Sequence, residues 1–159
     1  MILKTDKKIL DACCGSKMFW FNKQNLNTLF CDNRTLNTTL SDGRSLIITP
    51  DILMDFTRMP FESNHFKLVV FDPPHLINAG KNSWLVKKYG KLENNWKETI
   101  LNGFNECWRV LDINGVLIFK WSETQILTKE ILDILPISPL FGHKSGRLNK
   151  THWMCFMKD

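Results

Sequence analysis

Two apolar runs that each end in an acidic residue constrain this chain most. Leu68-Val69-Val70-Phe71 leads into Asp72-Pro73-Pro74-His75, and near the amino terminus Ile9-Leu10 leads into Asp11-Ala12-Cys13-Cys14-Gly15-Ser16. An acid at the carboxyl end of a buried strand, followed by a glycine turn, is where an open α/β sheet holds an adenosine-bearing ligand. A second strand ending in Asp-Pro-Pro adds a rigid polar pocket beside the first.

The rest of the chain supplies the elements such a sheet needs. Strands are predicted at 8–12, 28–32, 52–55, 67–72 and 116–121, with a short helix at 19–26 packing Phe19, Trp20 and Leu26 on the sheet. Asp42-Gly43 between two apolar runs reads as a hairpin turn. Trp96, Ile100, Leu101, Phe104, Trp108 and Leu111 repeat at helical spacing, so a helix covers the sheet over 96–111 and Asp112-Ile113-Asn114-Gly115 stops it. Ser122-Glu123-Thr124-Gln125 has the spacing of a capping box, in which side chains satisfy the first free backbone N–H groups, and predicts a helix running to about Leu135. Two strands, 137–141 and 152–158, close the chain. Strands alternating with helices define the expected fold class: α/β, Rossmann-like and doubly wound, with about seven mostly parallel strands and an antiparallel last strand.

At 159 residues the sequence is expected to form a single domain, 1–159. No apolar run approaches the ~18 residues of a membrane span, and the charged start argues against a secretory signal, so the expected compartment is the cytoplasm. Five cysteines cannot all pair within one chain and form no C-x-x-C motif. Reduced thiols follow, and no metal site is expected. The net charge of +5 is unevenly placed, with residues 75–97 at +4, residues 142–150 at +3 and the remainder at −2. Two basic segments on a slightly acidic body read as a footprint for phosphates, against the blander alternative of solvated lysine loops.

Taken in order, Asp11 to Ser16, Asp32, Asp55 and Asp72-Pro73-Pro74-His75 resemble the motifs of class I methyltransferases that use S-adenosylmethionine. The likeness is greatest to the DPPY kind, which methylates amino groups of nucleobases, and to short phage and prophage methyltransferases. Met59-Pro60-Phe61, Phe66 to Val70, Arg109-Val110-Leu111 and Asn114-Gly115 resemble the connecting segments of that family. The resemblance implies S-adenosylmethionine as cofactor, bound by Asp11, Ala12, Cys13, Cys14, Gly15 and Ser16, by Asp32 and Asn33 at the ribose, by Asp55 and Phe56 at the adenine, and by Asp72. It implies a catalytic segment of Asp72, Pro73, Pro74 and His75. A nicotinamide dinucleotide is the competing ligand, but Gly15 stands without the G-x-G-x-x-G series that cradles a pyrophosphate.

The chemistry gives these residue types a reason. An exocyclic amine is a poor nucleophile because its lone pair is delocalised into the ring. Asp72 and the Pro73 carbonyl can each accept one of its N–H groups, and two prolines stiffen the direction of that carbonyl. His75 stands where the family places a larger aromatic that stacks on the base, and as a neutral imidazole near its ordinary pKa it is expected to lose that role on acidification through about 6.5. The alternative is a Pro-Pro strand terminator without catalytic meaning. Lys81, Asn82, Trp84, Lys87, Lys88 and Tyr89 mix stacking and phosphate-binding groups as a nucleic-acid channel does, and His143, Lys144 and Arg147 are its expected opposite lip. Lys120 ends the fifth strand near the cofactor.

DNA or RNA, with adenine N6 as the target atom, is therefore the expected substrate. Recognition is expected to be shallow, directed at RNA shape, or shared with a recognition subunit or a second copy of the chain. The competing readings are ribose 2′-O transfer through Asp72 and Lys120, methylation of a small-molecule amine, and a non-catalytic nucleic-acid-binding subunit of this fold.

Overall fold

The computed structural model describes residues 2–80 and 83–159. Strands β1 (Ile9–Asp11), β2 (Thr28–Asp32), β5 (Ile52–Leu53), β6 (Phe66–Phe71), β7 (Leu111–Ser122), β8 (Phe141–Ser145) and β9 (Thr151–Met157) form one sheet in the order β5-β2-β1-β6-β7-β9-β8. From β5 to β7 all pairings are parallel, whereas β9 runs antiparallel to both its neighbours. The fold is α/β and Rossmann-like. Strands β3 (Leu36–Thr39) and β4 (Ser45–Ile48) form a separate hairpin across Asp42-Gly43, with a small core of Leu40, Leu46 and Ile48. The chain builds outward from β1 to β2 and β5, then returns to add β6 and β7 on the other side. That reversal opens a crevice between the carboxyl ends of β1 and β6.

Helix α2 (Trp96–Val110) follows the predicted period and buries Ile100, Phe104, Cys107 and Val110 against the sheet. Each large apolar side chain so covered contributes about 1.5 to 3 kcal/mol. Lys158 Nζ donates to the Trp108 and Leu111 carbonyls at 2.7 and 2.9 Å, satisfying groups that the helix end leaves free. Arg109 ties the helix to the loop before β6 through the Met59 and Phe61 carbonyls at 2.9 and 2.7 Å, and Glu106 accepts from the Met59 N–H. The segments around Met59 and Arg109 therefore form one clamp.

Four local expectations are corrected. Residues 19–26 form successive turns instead of a helix, because Asn22 and Asn25 accept hydrogen bonds from the backbone of Gln24 and Asn27 and so compete with helical bonding. Leu26, expected on the sheet, is exposed. The helix expected over 122–135 shrinks to α3 (Thr128–Leu132), since Gln125 turns its side chain to Ile77 and Asn78, and Glu130 and Glu123 accept from the Leu127 and Thr128 N–H groups, where the helix begins. Pro139 cannot donate to a ladder, and the strand expected at 137–141 begins only at Phe141. Conversely, the basic segment after Pro74 contains an unexpected short helix, α1 (Trp84–Tyr89), capped by Ser83.

All five cysteines are free thiols. Among the described residues no helix is long and apolar enough to cross a membrane.

Candidate functional site

Three carboxylates converge where the crevice opens. Asp11 ends β1, Asp32 ends β2 and Asp72 follows β6, so neighbouring strands deliver them to the same edge of the sheet. Their environments differ. Asp11 is fully buried, accepting from the Trp20 indole N–H at 2.6 Å and the Cys13 N–H at 3.3 Å. Burial, supported by the nearby Asp72 charge and opposed by the Trp20 hydrogen bond, pushes its carboxyl up to about 7. Its hydrogen bonds orient the loop that follows β1.

Asp32 is also buried, but its oxygens face the loop. Oδ2 accepts from the Gly15 N–H at 2.9 Å, and Oδ1 accepts from the Arg34 backbone N–H at 3.0 Å and its Nε at 3.2 Å. Gly15 has φ +48°, and a Cβ built on it would meet nothing within 4 Å, so bare backbone lies beside Asp32 with space before it. Glycine adopts this left-handed conformation without the steric cost that a Cβ brings.

Asp72 pairs with Lys120, whose Nζ donates to Oδ2 at 2.6 Å. Burial raises its pKa, and the ammonium of Lys120 works against the rise. Among the described residues the Lys120 contact at Oδ2 is its hydrogen bond, and none reaches Oδ1. Pro73 is buried, and Pro74 lies so close to Gly90 that a Cβ there would approach its ring to 2.9 Å. The Gln125 side chain accepts from the Ile77 and Asn78 N–H groups at 2.7 and 2.8 Å and donates to the Asn78 carbonyl. The segment after Asp72 is thus fixed from both sides.

A cleft of about 870 Å³, counted out to open solvent, runs past these groups. Its lining includes Ala12, Cys13, Cys14, Gly15 and Ser16 from the first loop, and Asp32 with Asn33 from the second. Phe56, Asp72, Pro73, Pro74, His75, Lys88, Tyr89 and Lys120 complete the expected residues that it gathers. His75 sits 5.2 Å from Tyr89 and 6.4 Å from Trp121 between ring centroids. Burial and the Lys120 charge lower its pKa to about 4. A transition near 6.5 is therefore corrected: His75 is neutral across the physiological range.

Other expected site residues lie away from the cleft. Asp55 is exposed and accepts from Thr57, a turn interaction that leaves Phe56 alone facing the site. Asp11 stands behind the lining. Trp84 and Lys87 are exposed on α1, and His143, Lys144 and Arg147 are exposed on β8 and the turn after it, and none of the five is part of the cleft lining. Lys81 and Asn82 lie outside the described residues.

The cleft also contains residues that sequence reasoning missed. Met18, Phe19, Arg34, Gly90 and Lys91 line it. Arg34 matters most, because its Nη1 also donates to the Lys87 carbonyl at 3.1 Å, joining the Asp32 carboxylate to the last turn of α1. The local signal was the pairing of Asp32 with a cation two residues later. Its link to α1 crosses 53 positions and left no mark in the sequence.

Compared with known protein-family models and with curated proteins, the chain matches none.

Proposed function

We propose that this protein is an S-adenosylmethionine-dependent methyltransferase acting on an exocyclic amino group of a nucleobase, adenine N6 in DNA or RNA. The observation that carries this reading is the convergence of the Gly15–Asp32 contact and the Asp72-Pro73-Pro74-His75 segment in one cleft. Gly15 and Asp32 fit the cofactor, because a carboxyl group beside open backbone suits a vicinal diol and a small zwitterion. Asn33 borders the same space, and Phe56 offers an apolar face for a purine. When bound, the cofactor supplies a methyl group on a cationic sulfur. Asp72 Oδ1 and the Pro73 carbonyl accept the two N–H groups of the target amine and aim its lone pair. Lys120 favours the ionised form of Asp72, which can then take the proton released once the nitrogen–carbon bond forms. His75 and Tyr89 offer aromatic surface to an extruded base.

A second reading draws on the 2.6 Å contact between Lys120 and Asp72. A carboxylate beside a lysine ammonium can take the proton of a ribose 2′-hydroxyl that the ammonium helps to position, although this leaves Pro73-Pro74 without a role.

Calorimetric titration with S-adenosylmethionine, followed by labelled cofactor with DNA, RNA or free nucleosides, tests both. Label recovered as N6-methyladenine supports the first reading, and label on ribose supports the second. Label on free nucleosides alone removes nucleic acid as the substrate. Absence of cofactor binding overturns the methyltransferase reading.

A further inference from the structure

Phe21 is fully exposed on a loop that is otherwise firmly held. Its neighbour Trp20 is fixed by the Asp11 carboxylate at 2.6 Å and by an edge contact with Phe30 at 5.0 Å. Phe19 on the same loop packs edge-on against Trp153 at 5.3 Å and borders the cleft. Beyond Phe21 the chain turns back, with Asn22 accepting from the Gln24 N–H and Lys17 Nζ donating to the Lys23 carbonyl at 3.4 Å. Two aromatic rings turned inward thus hold a third outward. Residues 12–31 carry Lys17 and Lys23 and no acid, and Lys88, Lys91 and Lys120 line the adjoining cleft. A protruding ring on a positively charged ledge suits a surface that is apolar in the middle and anionic at its edges.

We infer that Phe21 is a nucleic-acid wedge, inserting into the base stack beside the cleft and filling the gap left when the target base leaves the duplex. Apolar side chains perform this service in proteins that unstack base steps, and extrusion of a base makes such a gap. Lys23, exposed two residues on, faces the flanking phosphates. The inference rests on the nucleic-acid reading of the cleft and adds to it a duplex substrate and a second contact point.

The experiment measures binding of fluorescent duplex and single-stranded oligonucleotides of one mixed sequence, as DNA and as RNA, by wild type, Phe21→Ala and Phe21→Leu. Cofactor affinity is measured in parallel. Phe21→Ala is expected to weaken duplex binding by about tenfold or more, on the scale of a lost base contact, with a much smaller loss on single strands. Phe21→Leu retains most of the duplex affinity because a wedge needs bulk more than aromaticity. The DNA and RNA arms identify which duplex is used. Unchanged duplex binding by Phe21→Ala, in a protein whose wild type binds duplex, overturns the wedge and leaves the cleft reading intact. Equal losses on duplex and single strand also overturn it, in favour of simple stacking. A change of oligomeric state in Phe21→Ala with intact duplex binding reassigns the ring to a protein contact. Cofactor binding without binding of any nucleic acid removes the wedge and the nucleic-acid substrate together, while the methyl-transfer reading survives.

Discussion

The floor and the rim of the cleft are built differently. The floor is the carboxyl edge of β1, β2 and β6, where Asp11, Asp32 and Asp72 are fixed by short hydrogen bonds to groups that are themselves buried or constrained. The rim is α1 and the loop around Phe21, which expose aromatic and basic side chains, and of the two α1 rests on few anchors. Helix α1 has no buried residue, and its attachment runs through Arg34, the His75–Tyr89 contact and the approach of Gly90 to Pro74. A rigid floor suits bond making, which needs geometry held to fractions of an ångström. A lightly fastened α1 on the rim suits a large ligand that must enter and leave.

If that division is right, replacing floor residues changes chemistry or cofactor binding, whereas replacing rim residues changes engagement of the acceptor. Asp72→Ala should give the largest effect, a loss of turnover of about 100-fold or more, as for removal of a preorganised electrostatic partner. Cofactor affinity by calorimetry should largely survive. Wild-type turnover in this variant would break the assignment of the floor. Asp32→Ala should weaken cofactor binding by about 1 to 3 kcal/mol, the scale of a lost hydrogen bond to a charged group. An unchanged affinity would move the diol contact elsewhere.

Arg34→Ala tests the join between the two regions. Loss of its bond to the Lys87 carbonyl frees the end of α1, and KM for the acceptor should rise by about 3- to 10-fold, on the scale of one net hydrogen bond. Its kcat should change little, because Asp32 keeps the Gly15 and backbone N–H bonds. A fall in kcat with constant KM would place Arg34 in the floor.

The smallest expected effect comes from His75. With its pKa lowered to about 4, protonation of the folded protein begins only well below the ordinary range of imidazole. The unfolded chain binds that proton near 6.5, so the neutral side chain contributes stability that is complete above about 6.5 and falls as pH drops toward 4. Turnover should therefore show no His75-linked limb near 6.5, and His75→Tyr should leave the profile there unchanged. Asp11 predicts the opposite slope. Its carboxyl, held near 7, is favoured in its protonated form by folding, so its stability contribution is complete below about 4 and declines as pH rises toward 7. Chemical denaturation of wild type and Asp11→Asn across that window should show a flatter profile in the variant.

Much of the floor was legible in the residues themselves. An apolar run ending in an acid carries its own geometry, since a strand buried on both faces can place its terminal polar group only at the edge of the sheet. Gly15 was legible for a similar reason, because it marks a turn that few other residues adopt. The period of α2 and the Asp42-Gly43 hairpin were equally local. The rim was misread where polar side chains had a choice of partners. Asn22 and Asn25 turned a helical pattern into turns, and Gln125, which suggested a cap, instead holds Ile77 and Asn78.

The sequence by itself determined the α/β class, the strands that end at the site and the residue types gathered there, because strand burial and turn chemistry depend on near neighbours. Only the tertiary structure decided that Arg34 joins Asp32 to α1, that Asp55 turns away, that Lys120 pairs with Asp72, and that His75 stays neutral. Each of these depends on how close groups remote along the chain come and on how much water folding removes around them. Neither distance nor desolvation has a local signature, since both arise only when the strands have paired and the cleft has closed around its charges.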